Sequence, residues 1–153
     1  MQGEETQNPH SRSNIILAVA LAAAWSDGSV CDNEKRALGA IMDHIGLSPE
    51  MLAQRLQSQV SPPPLESLEV PEDFAFRLEL LRYAMAVSMA DGSLESGELD
   101  FLRKLTSHLG ISPQALRILR LEAEGLAREQ GEPGPESLLR RVQALLPTTG
   151  PQS

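Results

Sequence analysis

The chain has 153 residues, 41% of them hydrophobic and only 3% aromatic, with 13 basic against 21 acidic side chains and a net charge of −8. That length predicts one domain with a sizeable core. A core so poor in aromatic residues is built from Leu, Ala, Ile, Val and Met, most of which favour helices. The charge balance argues against nucleic acid and against anionic membrane surfaces, since both need a basic patch, and it suits cationic partners, either metal ions or basic proteins.

Residues 1–12 read as a disordered tail. A first helix is expected from about Ser13 to Ser26, apolar on every side and therefore central. Its apolar run, Ile15 to Trp25, is far short of the roughly 20 residues that span a bilayer. The segment before it carries Glu4 and Glu5 against Arg12, not the positive n-region of a secretory signal. With a single cysteine, Cys31, ruling out an intrachain disulfide, a cytoplasmic location without direct membrane insertion is expected.

A second helix runs from about Asp32 to Ile45, with Leu38, Ile41, Met42 and Ile45 on one face and Gly46 to end it. A third opens at Ser48-Pro49-Glu50, which supplies an N-cap, an N1 proline and a first-turn acid, and fades near Val60. Residues 61–71, "SPPPLESLEVP", read as a proline linker. A fourth helix begins near Pro71-Glu72-Asp73 and reaches about Ala90; its second half is again apolar all round. A fifth covers about Ser96 to Leu109 and ends at Gly110. A sixth starts at Ser112-Pro113 and runs to about Glu129 along Leu116, Leu119, Ala123 and Leu126. After "GEPGP", a closing helix at 135–146 carries Leu138, Leu139, Val142, Leu145 and Leu146 at helical spacing, and 147–153 form a second tail. No segment alternates with period two, so no strand is expected.

The chain also resembles itself. With a shift of 64, residues 20–52 match 84–116 at 12 of 33 columns, among them Asp27/Asp91, Gly28/Gly92, Glu34/Glu98, His44/His108, Gly46/Gly110 and Pro49/Pro113. The expected fold is therefore an all-α bundle of about seven helices within a single domain, 13–146. It is built from two three-helix repeats, 13–60 and 72–129, related by a pseudo-twofold axis, plus the closing helix. The two all-apolar helices would pair at the centre.

The repeated loops read like the second half of an EF-hand. Asp27, Gly28, Val30 and Glu34 fit positions 5, 6, 8 and 12, as do Asp91, Gly92, Leu94 and Glu98. Positions 1 and 3 are Ala23 and Trp25, or Val87 and Met89, none of which can coordinate a cation. Two readings follow. Asp-Gly is turn chemistry, and Glu34 and Glu98 sit where a first-turn carboxylate meets free N–H groups. Alternatively, a pseudo-twofold axis gathers Asp27, Glu34, Asp91 and Glu98, whose mutual repulsion a hard divalent ion relieves: Ca²⁺ or Mg²⁺, less favourably Mn²⁺. His44 and His108 read as partners of helix-terminal carbonyls. Cys31 reads as a small semi-buried turn residue or a reactive thiol at a helix start. No phosphate loop, nucleophile elbow or zinc-protease motif occurs, so neither an enzyme nor an organic cofactor is expected.

The pattern [AS]-D-G-x-[VL]-x-x-x-E, followed by an amphipathic helix and H-[IL]-G-[LI]-S-P, twice in one helical chain, resembles the TerB family of tellurite resistance. That domain is also similar to a segment of some J-domain co-chaperones. The resemblance covers about 13–146. It implies a seven-helix pseudo-twofold bundle, metal-binding acids at Asp27, Glu34, Asp91 and Glu98, and a part in bacterial tellurite or chemical stress, in assemblies near the membrane. This chain departs from the pattern at Cys31, where the second repeat has Glu95, and it has no His-Pro-Asp motif. The alternative is an interaction scaffold of the same fold, whose loop acids are caps and whose acidic surface recruits a basic protein.

Overall fold

The computed structural model describes residues 12–26, 30–58, 64–90, 94, 96–130, 140 and 142–146. These form helices α1 (Arg12–Ala24), α2 (Asp32–Ile45), α3 (Pro49–Ser58), α4 (Phe74–Ser88), α5 (Ser96–His108) and α6 (Pro113–Gln130), with a 3₁₀ turn at Leu65–Ser67. Residues 142–145 are helical as well. Among the described residues there is no strand, and no helix is long and apolar enough to cross a membrane.

The two all-apolar segments pair as expected. α1 and α4 lie against each other, with α2 and α3 following on one side and α5 and α6 on the other. Almost every residue of α1 is buried, as is α4 from Leu80 onward apart from Arg82. A helix without a polar face gains nothing from water, so burial all round is its stable placement. The outer helices contribute stripes: Leu38, Ile41 and Met42 from α2, Leu102 and Leu105 from α5, Leu116, Leu119 and Ala123 from α6.

Helix ends follow their local chemistry. Gly46 and Gly110 adopt φ of +78° and +69°, and the residue after each completes a Schellman closure. Leu47 N–H donates to the Met42 carbonyl at 2.9 Å, and Ile111 N–H to that of Thr106 at 3.0 Å. α4 begins later than its proline-acid run predicts: Asp73 caps it, accepting from Ala75 N–H at 3.1 Å. α1 begins one residue early. Arg12 offers nothing to a helix N-terminus, but its guanidinium stacks 3.9 Å from the Phe76 ring centroid and meets Glu79 at 3.1 Å.

Residues 64–71, expected as linker, form a docked strap. Leu68 is buried. Its carbonyl accepts from His108 Nε2 at 2.8 Å, and Arg77 donates to the carbonyls of Pro71 (2.6 Å) and Leu109 (3.3 Å). A carbonyl can only accept, so His108 carries its proton on Nε2. This histidine therefore serves the strap and not the end of its own helix. His44, at the matching sequence position, packs edge-on to Tyr83, with centroids 6.2 Å apart. Midway along α4, Arg82 donates to the Leu145 carbonyl at 2.8 Å and grips Glu122 of α6 at 2.7 Å, fixing the closing segment. Of the expected closing helix, only 140 and 142–146 are described; the tails 1–11 and 147–153 lie outside the described residues.

Candidate functional site: buried helix-start acids and two grooves

Of the four acids singled out in the sequence, two are described. Glu34 and Glu98 each stand third in their helix, α2 and α5, and each is 1% exposed. Asp27 and Asp91, with Gly28 and Gly92, lie outside the described residues. Val30 and Leu94 tuck against the core as expected. Ala23 and Val87 are fully buried in α1 and α4, so the first ligand position of each loop is a core position.

An acid is rarely buried without a partner, and Glu34 has one in the backbone. Its Oε1 accepts the Cys31 backbone N–H at 2.8 Å. This is the reach-back bond of a capping box, from the third helical position to the N-cap. It satisfies a donor that the helix itself cannot, and it sets a negative charge at the positive end of α2. Cys31 is that N-cap and is exposed, where a semi-buried turn residue was one expectation. Among the described residues no three His, Cys, Asp or Glu side chains gather as a metal would need. The described part of the expected donor set is thus two buried carboxylates, and that of Glu34 is bonded to backbone.

Sequence reasoning missed the grooves between the outer helices. One, of about 560 Å³, lies between α5 and α6; Thr106, Ile111 and Leu116 line it, with Arg103, Arg117 and Arg120. The other, of about 380 Å³, lies between α2 and α3; it is lined by Met42, Asp43, Leu47 and Leu52, with Gln143 of the closing segment on its wall. The signal was present in the 64-residue shift, in columns that do not match: Gly39 against Arg103 and Asp43 against Ser107.

Apolar side chains are also left in solvent along α4 and α6: Phe74 (51% exposed), Ile118 (67%) and Leu121 (60%). Leu78 and Ile118 share a shallower hollow of about 350 Å³ beside Arg82 and Glu122.

When the chain is compared with known proteins, no family model, no curated protein and no solved structure matches it.

Proposed function

We propose that this chain is a non-catalytic protein-interaction module of the cytoplasm, a TerB-like bundle made by duplication of a three-helix unit. The observation that carries this reading is the bond from Cys31 N–H to Glu34 Oε1 at 2.8 Å, which uses the most metal-like acid of the first loop as a helix cap. The exposed Phe74, Ile118 and Leu121 and the open α5/α6 groove supply surface for a partner. The duplication is supported by Gly46 and Gly110 in the same left-handed conformation and by Glu34 and Glu98 buried at the same helical position. A link to tellurite stress or to a membrane-associated complex rests on the motif resemblance alone.

A second reading keeps the metal. Two carboxylates at 1% exposure, each seven residues after an Asp-Gly aspartate, are what half of an all-oxygen site for Ca²⁺ or Mg²⁺, less favourably Mn²⁺, would contribute, with Asp27 and Asp91 as the other half. Calorimetric titration of the metal-stripped chain with these ions separates the two. The interaction reading expects no saturable heat, and a Glu34→Gln/Glu98→Gln variant that is merely less stable. Saturable binding lost in that variant would replace the interaction reading with the metal one.

A further inference from the structure

The α5/α6 groove has a counterpart within the same molecule, and the closing segment borders that counterpart. The α2/α3 groove is walled by Met42, Asp43, Leu47 and Leu52. Moved 64 positions along the chain, these become Thr106, Ser107, Ile111 and Leu116, which line the α5/α6 groove. The closing segment borders the first groove, with Gln143 part of its wall. No described segment takes the corresponding place at the second, which is the larger of the two.

The two grooves differ in charge. The first has Gly39 and Asp43 where the second has Arg103 and Ser107. The segment at the first carries Arg140 and Arg141 in its sequence. The second adds Arg117 and Arg120, so three guanidiniums border an apolar floor in a chain whose net charge is −8. Arg120 is paired with Glu124 on its own helix at 3.2 Å. Arg103 and Arg117 form no ion pair among the described residues. Leu121, one turn beyond Arg117, is 60% exposed and extends the apolar surface.

We infer that the α5/α6 groove docks an amphipathic helix of another protein, with its apolar stripe over Ile111 and Leu116 and flanking carboxylates on Arg103 and Arg117. This rests on the interaction reading above and names its partner: an acidic helix where the sequence pointed to a basic surface. A basic segment such as the chain's own closing helix is the wrong charge for this groove, and an apolar stripe flanked by acids matches both its floor and its rim.

Two synthetic 18-residue helices test this against the full-length, isotope-labelled chain by NMR titration. Both carry leucines at helical spacing; one is flanked by glutamates, the other by lysines. The glutamate helix is expected to bind saturably, with the largest shifts between 103 and 120. The lysine helix is expected to bind about tenfold more weakly, as two partly exposed ion pairs would give, a difference that shrinks in 0.5 M salt. Arg103→Glu/Arg117→Glu, a surface change that leaves the melting temperature within a few degrees, is expected to reverse the preference. Equal affinity for the two helices, or shifts on the Phe74–Ile118 face or the α2/α3 groove, would overturn the assignment and leave the interaction reading standing. Absence of binding at every face would overturn both. A dimer in sedimentation that the double variant abolishes would give the groove to a second copy and likewise overturn it.

Discussion

Neutralising Glu34 has opposite signs under the two roles available to it. As a cap, the carboxylate accepts Cys31 N–H and faces the positive end of α2. Glu34→Gln keeps an acceptor oxygen at the same place and removes only the charge, at a cost of about 0.5–1 kcal/mol. Glu34→Ala also removes the acceptor, worth about 1 kcal/mol, and one buried methylene at about 0.8 kcal/mol. The total is about 2–3 kcal/mol. For a chain of this size these losses lower Tm by roughly 2–4 °C and 5–10 °C. If the acid instead belonged to a gathered set of carboxylates awaiting a cation, removing one charge would relieve repulsion, and the metal-free Gln variant would be the more stable protein. Chemical denaturation in chelator, followed by helical circular dichroism, reads the sign directly. The order wild type, Gln, Ala supports the cap. A metal-free Glu34→Gln that unfolds at higher denaturant than wild type would refute it.

Three further outcomes are expected. Gly46→Ala and Gly110→Ala each cost about 1–2 kcal/mol by denaturation, because φ is +78° and +69° while no atom crowds the added Cβ closer than Arg77 Nη1 at 3.5 Å from Gly110; a loss confined to one of the two would show that the loops are not equivalent. Tyr83 is held up to a pKa of about 12, first by burial and then by the Glu79 carboxylate, with Arg12 opposing. The fold binds that proton more tightly than the unfolded chain does, so the stability it contributes is complete below pH 10 and lost between pH 10 and 12. Wild type should lose about 1.4 kcal/mol by pH 11, and Tyr83→Phe should lose this slope. Finally, Arg82→Met removes the donor to Leu145 and the pair with Glu122. Hydrogen exchange at 142–146 should quicken about tenfold or more, from a loss near 1–2 kcal/mol, with α1 protection unchanged.

What the sequence disclosed was local or periodic. The helix-ending glycines, the Ser-Pro starts and the all-round apolarity of α1 and the second half of α4 are each set within a few neighbouring residues, and the structure follows them. What it concealed depends on partners distant in the chain. Arg12 joins α1 only because Phe76 and Glu79 receive it, and His108 holds a strap 40 residues away. Residues 64–71 were read from their prolines, which say where helix cannot form but not what the backbone carbonyls bind. At the candidate site, matching columns of the internal repeat found Glu34 and Glu98, whose burial they share. The groove arginines were overlooked because Arg103 sits in a mismatched column, where the two segments differ in charge, and Arg117 and Arg120 lie beyond the matched span.

The mutual burial of α1 and α4 has a consequence for dissecting the chain. Each covers an apolar surface that the other would otherwise expose, yet they belong to different halves of the polypeptide. Separating the chain between α3 and the 3₁₀ turn yields two fragments, each owning half of one interior. Mixed, they should reassemble by the same hydrophobic contact that unites them when tethered. The molecule is in this respect a natural complementation pair: a reporter fused to each fragment would light up on reunion, and dilution would switch it off.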